Sequence, residues 1–164
     1  MEASSIQAAL GRLAFAEEFS PDQLARLAEL TARVQWEAGD VVFREGEVGI
    51  ELYVVEEGRV DLVVSVPGRG TVRLQAVGPG EIFGWSSVYY MRPKTASALV
   101  VEPTRALALN GVMLRALCDS DFQLGYVITR RLLRVASERL KATRLQMLDL
   151  LSSRPDAHAD GPKT

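Results

Sequence analysis

The chain has 164 residues, 48% hydrophobic and 24% charged, with a formal net charge of −2. Such a length and balance suit one soluble domain that buries roughly 70% of its unfolded surface, and they argue against a protein that lives on nucleic acid. One cysteine and one histidine exclude a disulfide framework, a Cys/His metal cluster and a Ser-His-Asp or Cys-His catalytic set.

Residues 1–30 read as helical. Ile6, Ala9, Leu10 and Leu13 share one face of a short first helix. Ser20-Pro21-Asp22-Gln23 then signals a second start: Ser20 caps, Pro21 fits the first helical position, and Gln23 completes a capping box. Leu24, Leu27, Ala28 and Thr31 form the stripe expected to pack against a barrel of strands.

Over residues 31–110 the period becomes two. Val34 and Trp36 alternate with Gln35 and Glu37, and Val41 and Phe43 with Val42 and Arg44; Val60, Leu62, Val64 and Val66, then Val72, Leu74 and Ala76, continue the period. Glycines punctuate these runs about every ten residues, the spacing of a sandwich or jelly roll. Glu57-Gly58 and Pro67-Gly68-Arg69-Gly70 read as hairpin connections, and Glu102-Pro103 as a break before the last strand. The expected fold is mainly β, a roll of eight strands with flanking helices.

Residues 78–98 interrupt this pattern. Gly78-Pro79-Gly80 turns, Glu81-Ile82-Phe83 is a short strand, and Gly84 opens a turn and a half of helix from Trp85 to Tyr90. Ser86 and Ser87 lie in its first turn, and Lys94 precedes a strand starting at Thr95. Backbone N–H groups, hydroxyls and a cation together fit a phosphate cradle. A plain connector fits the same residues.

Asn110 caps a short helix, Gly111 to Cys118, in which Cys118 reads as a buried structural thiol. A helix of about 45 Å comes next, from Asp121 to Leu151, too long for one small roll to cover. Tyr126, Thr129, Leu133, Ala136, Leu140, Thr143, Met147 and Leu150 recur at steps of three and four, which predicts a parallel homodimer through a coiled-coil seam. Ile128, Leu132 and Val135 form a second stripe, facing the roll. Arg130, Arg131 and Arg134 read as solvated or rim charges. Residues 152–164, with His158, read as a flexible polar tail. Four parts result: helices over 1–30, the roll over 31–110, helices over 111–151, and the tail.

The order G-E-I-F-G, short helix, basic residue, T-A-S-A resembles the phosphate-binding cassette of the cyclic-nucleotide-binding domain family, to which cyclic-AMP receptor regulators and regulatory subunits of cyclic-AMP-dependent kinase belong. Ala38 to Val64 is similar to the family's early strands, and Glu18 to Leu30 to its opening helix. The resemblance implies a double-stranded β-helix with cyclic AMP or cyclic GMP as ligand and no metal. It places the phosphate on Gly84, Trp85, Ser86, Ser87, Lys94 and Thr95, and the base near Ser137 or Arg139. It also implies a dimer through the long helix. The cassette departs from the family twice: Trp85 stands where the family has a Glu on the ribose 2′-hydroxyl, and Lys94 where it has an Arg on the phosphate. Arg92 is a second candidate for that missing Arg.

Three functions compete. The first is a sensor for an anionic nucleotide, with a pocket that Trp85 either serves or fills; a filled pocket leaves dimerisation and protein contacts. A DNA-binding regulator is the second, but a helix-turn-helix does not fit into residues 152–164, so no direct DNA binding is expected. An enzyme is the third, and it lacks the residues. No apolar run reaches ~18 residues and no leader is legible, so a cytoplasmic protein without membrane contact is expected.

Overall fold

The computed structural model describes residues 2–14, 16–89 and 93–152. Arg92, His158 and the tail beyond Ser152 lie outside the described residues, as do the side chains of Glu2, Tyr89, Leu150 and Leu151.

The capping box forms as read. Gln23 N donates to Ser20 Oγ (3.2 Å), Ser20 N donates to Gln23 Oε1 (3.0 Å), and helix α2 runs Pro21–Glu29 behind α1, Glu2–Leu10. The strands are β1 (Thr31–Trp36), β2 (Val41–Phe43), β3 (Glu51–Val66), β4 (Gly70–Val77), β5 (Ile82–Phe83) and β6 (Ser97–Asn110). They form one antiparallel sheet in the order β1-β6-β3-β4, with β2 on β6 and β5 on β3.

Among the described residues there are thus six strands, and the expected eight are not found. Gly58 and Pro103 do not end strands; they lie at bends inside β3 and β6, where the pairing register shifts between Val55 and Val60. Bulges let each long strand turn a corner while staying hydrogen-bonded. Gly58 has φ +89°, and a Cβ there would lie 2.2 Å from the Pro103 carbonyl oxygen. Gly58→Ala is therefore expected to cost about 3 kcal/mol or more, read as a lower denaturation midpoint at unchanged slope. The Pro67–Gly70 turn is a hairpin, closed by Arg69 N donating to Val66 O at 3.0 Å. On β4, Val72 and Ala76 are exposed and Leu74 is half-buried: Ala76 alternates with the buried Val77, so it faces away from the core, and the β3–β4 register slips between Leu62 and Val63 before Val72 is reached.

Alternation along β3 divides the core. Leu52 and Val54 pack with Leu107 and Leu109 against Leu10, Leu27, Leu114, Leu124, Ile128 and Leu132 of the helices. Tyr53 and Val55 point the other way, into the roll, with Phe83, Val60, Leu62 and Val100. Within the roll Tyr53 stacks on Phe83 (centroids 4.9 Å apart) and meets Trp36 edge-on (5.4 Å).

After the one-turn helix α3 (Ser86–Tyr89), helices α4 (Gly111–Ser120) and α5 (Phe122–Ser152) close the chain. Asp121 joins them to α2: its carboxylate accepts from Leu124 N (3.0 Å), Gln23 Nε2 (3.2 Å) and Arg26 Nη2 (2.5 Å). The backbone bond to Leu124, then Gln23, hold this carboxyl below its usual pKa. On α5 the stripe Ile128, Leu132, Val135 faces the roll as expected. Tyr126, Thr129, Leu133, Leu140, Thr143 and Met147 are exposed, and Ala136 is half-buried.

Candidate ligand site

The segment after β4 is pinned to β3. Gly80 N donates to Val55 O (2.8 Å), Glu81 Oε2 accepts from Gly78 N (2.7 Å), and Ile82 and Phe83 pair with Val54 and Tyr53. Gly84 then takes φ +72°, a region that favours glycine, and a Cβ there would come within 3.0 Å of Glu51 O. This turn starts α3, Ser86–Tyr89 among the described residues; Tyr90, where the expected helix ends, lies outside them.

Lys94 enters from the far side. Its N–H donates to Glu47 O and its carbonyl accepts from Gly46 N, both at 2.8 Å. Fixed there, the side chain runs inward and is only 5% exposed. Its ammonium donates to Ser87 Oγ (2.5 Å) and Gly84 O (3.3 Å) and lies 4.8 Å from the Phe43 ring centroid. Burial lowers the Lys94 pKa, and the negative charge of Glu51 partly opposes this.

These residues enclose a hollow of about 190 Å³, lined by Gly84, Trp85, Ser86, Lys94, Thr95 and Arg139 together with Phe43, Leu62 and Ala96. Two of the sequence-predicted residues lie elsewhere. Ser87 is buried behind the lining, holding Lys94, and Ser137 is exposed on α5. Phe43 is a lining residue that sequence reasoning missed: β2 reads Val41-Val42-Phe43 with no polar alternation to mark a face, and nothing local shows that Phe43 reaches Lys94. Arg139 spans the gap between α5 and the sheet. Its Nε donates to Gln75 Oε1 (2.7 Å) and its Nη2 to Ile82 O (3.2 Å), while the guanidinium lies 5.7 Å from the Trp85 ring centroid. Burial pushes its pKa down to about 10, against the pull of Glu81. Trp85 Nε1 is buried with no hydrogen-bond acceptor among the described residues.

A larger open groove of about 550 Å³ lies beyond Trp36 and Tyr53, with Glu29 and Glu51 in its wall and no basic side chain. The smaller hollow suits an anion better, since two cations converge there with no carboxylate in its lining among the described residues. Among the described residues no group of three His, Cys, Asp or Glu could hold a metal ion, and no helix is long and apolar enough to cross a membrane.

A bent antiparallel roll with a cationic hollow between its cassette and a long C-terminal helix has the layout of a small-ligand-binding module. The profile of the family described as "Cyclic nucleotide-binding domain" matches residues 33–121, and the chain belongs to that family, which binds cyclic AMP and cyclic GMP. It is 30% identical over 142 residues to the CRP-like cAMP-activated global transcriptional regulator of Mycobacterium tuberculosis, covering 87% of this chain and 62% of that one. To a cAMP-dependent protein kinase regulatory subunit of Blastocladiella emersonii it is 32% identical over 110 residues, covering 67% of this chain and 27% of that protein. The chain therefore spans less than two thirds of the length of these relatives. A crystal structure of a cyclic nucleotide-binding domain from Methylobacillus flagellatus matches the fold with a TM-score of 0.75 at 21% identity, over 95% of this chain and 86% of that one.

Proposed function

We propose that the protein is a non-catalytic, cytoplasmic sensor that binds a cyclic nucleotide in its roll and signals through α5, working as a homodimer. The observation that carries this is the buried Lys94 ammonium, held inside the cassette and facing a hollow with no carboxylate in its lining. A charge kept out of water is stable only with partners, and Ser87 and Gly84 supply two neutral ones. Glu51 acts on it from outside the hollow, and an anion in the hollow supplies a counter-charge in contact. Backbone and hydroxyl groups of Gly84, Trp85, Ser86 and Thr95 surround its place. Family membership makes a cyclic nucleotide the first ligand to try.

A second reading has an observation of its own. At about 190 Å³ the hollow is smaller than the roughly 300–1,000 Å³ of ordinary ligand pockets, and the Trp85 indole narrows it. A domain so filled would act through dimerisation and protein contacts alone.

Calorimetry with cyclic AMP and cyclic GMP separates the two. The sensor reading expects saturable heat from the wild type with at least one nucleotide; silence with both supports the filled pocket. Trp85→Glu replaces the bulky ring with a carboxylate able to accept from a ribose hydroxyl. It is expected to raise affinity for cyclic AMP about tenfold, the worth of one good charged hydrogen bond. Unchanged or weaker binding in that variant shows that the indole is not what limits access.

A further inference from the structure

We propose that Arg139 is the second anion-binding group of the hollow, held in reserve on Gln75, Ile82 and Trp85 until a ligand phosphate draws it in. This rests on the sensor reading above and adds which group completes the site and how occupancy reaches α5.

The hydrogen bonds of Lys94 lead to it. An ammonium has three N–H donors, and two are committed to Ser87 Oγ and Gly84 O. One remains, which holds a single phosphate oxygen and fixes no orientation. Arg139 has donors to spare. Of its five N–H groups, the structure commits Nε to Gln75 and one Nη2 hydrogen to Ile82 O. Both acceptors are neutral, and Arg139 makes no ion pair among the described residues. A guanidinium that is largely out of water, in the wall of a cationic hollow, with no carboxylate in direct contact among the described residues and Glu81 acting on it only at longer range, is paired below its capacity. A cyclic phosphate has two exocyclic oxygens, one for Lys94 and one for Arg139.

The placement also says what binding would change. Gln75 is on β4, Ile82 on β5 and Arg139 on α5, so the three atoms in contact belong to three elements. Two turns farther along α5, Gln146 Nε2 donates to Leu74 O at 3.1 Å, a second tie to β4. Drawing Arg139 into the hollow exchanges its bonds to β4 and β5 for a bond to ligand, and removes the cation from above the indole.

The test uses the full chain with Trp36→Phe as background, so that emission reports Trp85. Cyclic AMP, cyclic GMP and inorganic phosphate are titrated into this protein and into Arg139→Gln, Arg139→Lys and Gln75→Ala derivatives, with circular dichroism confirming the fold. The expected result is a change in Trp85 emission on binding, affinity at least tenfold lower in Arg139→Gln, partial recovery in Arg139→Lys, and no loss in Gln75→Ala. Equal affinity in Arg139→Gln and its parent overturns the proposal while leaving the sensor reading intact. If neither nucleotide binds the parent, the sensor reading fails; Trp85 must then still respond to phosphate in an Arg139-dependent way, or the inference falls with it.

Discussion

Lys94→Met is expected to weaken cyclic-nucleotide binding by about 100-fold or more, the roughly 3 kcal/mol lost when one member of a desolvated charge pair is removed. The methionine keeps most of the volume and deletes the charge, so the loss in calorimetry reports electrostatics rather than a cavity. The fold itself should change by less than about 2 kcal/mol: burying an ammonium is costly, and losing it leaves Ser87 Oγ and Gly84 O short of one donor each. Dependence on pH separates the two effects. Burial lowers the Lys94 pKa below the ordinary lysine value of 10.5. As pH rises through that lowered value the folded ammonium loses its proton, while the unfolded chain keeps one until 10.5. The unfolded chain then binds more protons, so the ligand-free wild type gains stability relative to Lys94→Met across that window. Affinity for an anion moves the other way and falls over the same window. Tyr53, raised to about 12 by burial and by Glu51, removes stability from both proteins alike above pH 10 and cancels in the difference. Denaturation curves that stay parallel from pH 8 to pH 11 would show that the Lys94 ammonium is not desolvated as the geometry requires.

How much of the fold the chain order reveals depends on how far apart the partners lie. Ser20 and Gln23 are three residues apart, and their capping box was legible. So was the division of α5 into a roll-facing stripe and an exposed one, because both are properties of a single helix. Gly58 and Pro103 misled for the opposite reason. Each is a turn signal in its own neighbourhood, yet the space that Gly58 leaves open is filled by the Pro103 carbonyl, 45 positions away. Nothing local distinguishes two bends that nest from two ends of strands. The hollow shows the same limit. Gly84 to Ser86 and Lys94 to Thr95 could be gathered from one short stretch, but Gln75 and Ile82 O enter only when α5 is laid on the sheet. Ser137 and Arg139 differ by two residues, about 200° around a helix. That rotation decides which of them reaches Trp85, and it is set by Ile128 and Leu132 packing more than a turn earlier.

Placing aspartate at both Leu133 and Leu140 is expected to convert a dimer into a monomer. On the single chain these leucines are 65% and 61% exposed, in line with Tyr126 at 64% and Met147 at 57%. Phe122, 84% exposed and one turn before Tyr126, extends the same line toward the start of α5. So long an apolar stripe on one helix face calls for a partner, and a second copy matches it residue for residue. In a two-fold interface every substitution counts twice, and parallel helices would set each aspartate near its own counterpart. With about 1.5–3 kcal/mol for each buried leucine, four lost leucines and the like-charge contacts should raise the dissociation constant by at least 1,000-fold. Sedimentation equilibrium from 1 to 100 µM would read this directly. Leu145→Asp is the control: Leu145 is comparably exposed at 57%, but lies about 140° around the helix from Leu140. It should leave the dimer intact. If Leu145→Asp dissociates the protein and the seam variant does not, the partner covers a different face. A wild type that sediments as a monomer throughout overturns the seam altogether. Dimerisation also bears on the order of α5 itself. Residues 140–149 are all exposed in the single chain, where Gln146 on Leu74 O ties them to the roll. A helical extension of that length without a covering surface is marginal in water. Amide exchange over 140–149 should therefore be slow in the dimer and fast in the seam variant, with residues 124–132, where Leu124, Val127, Ile128 and Leu132 are buried against the roll, protected in both.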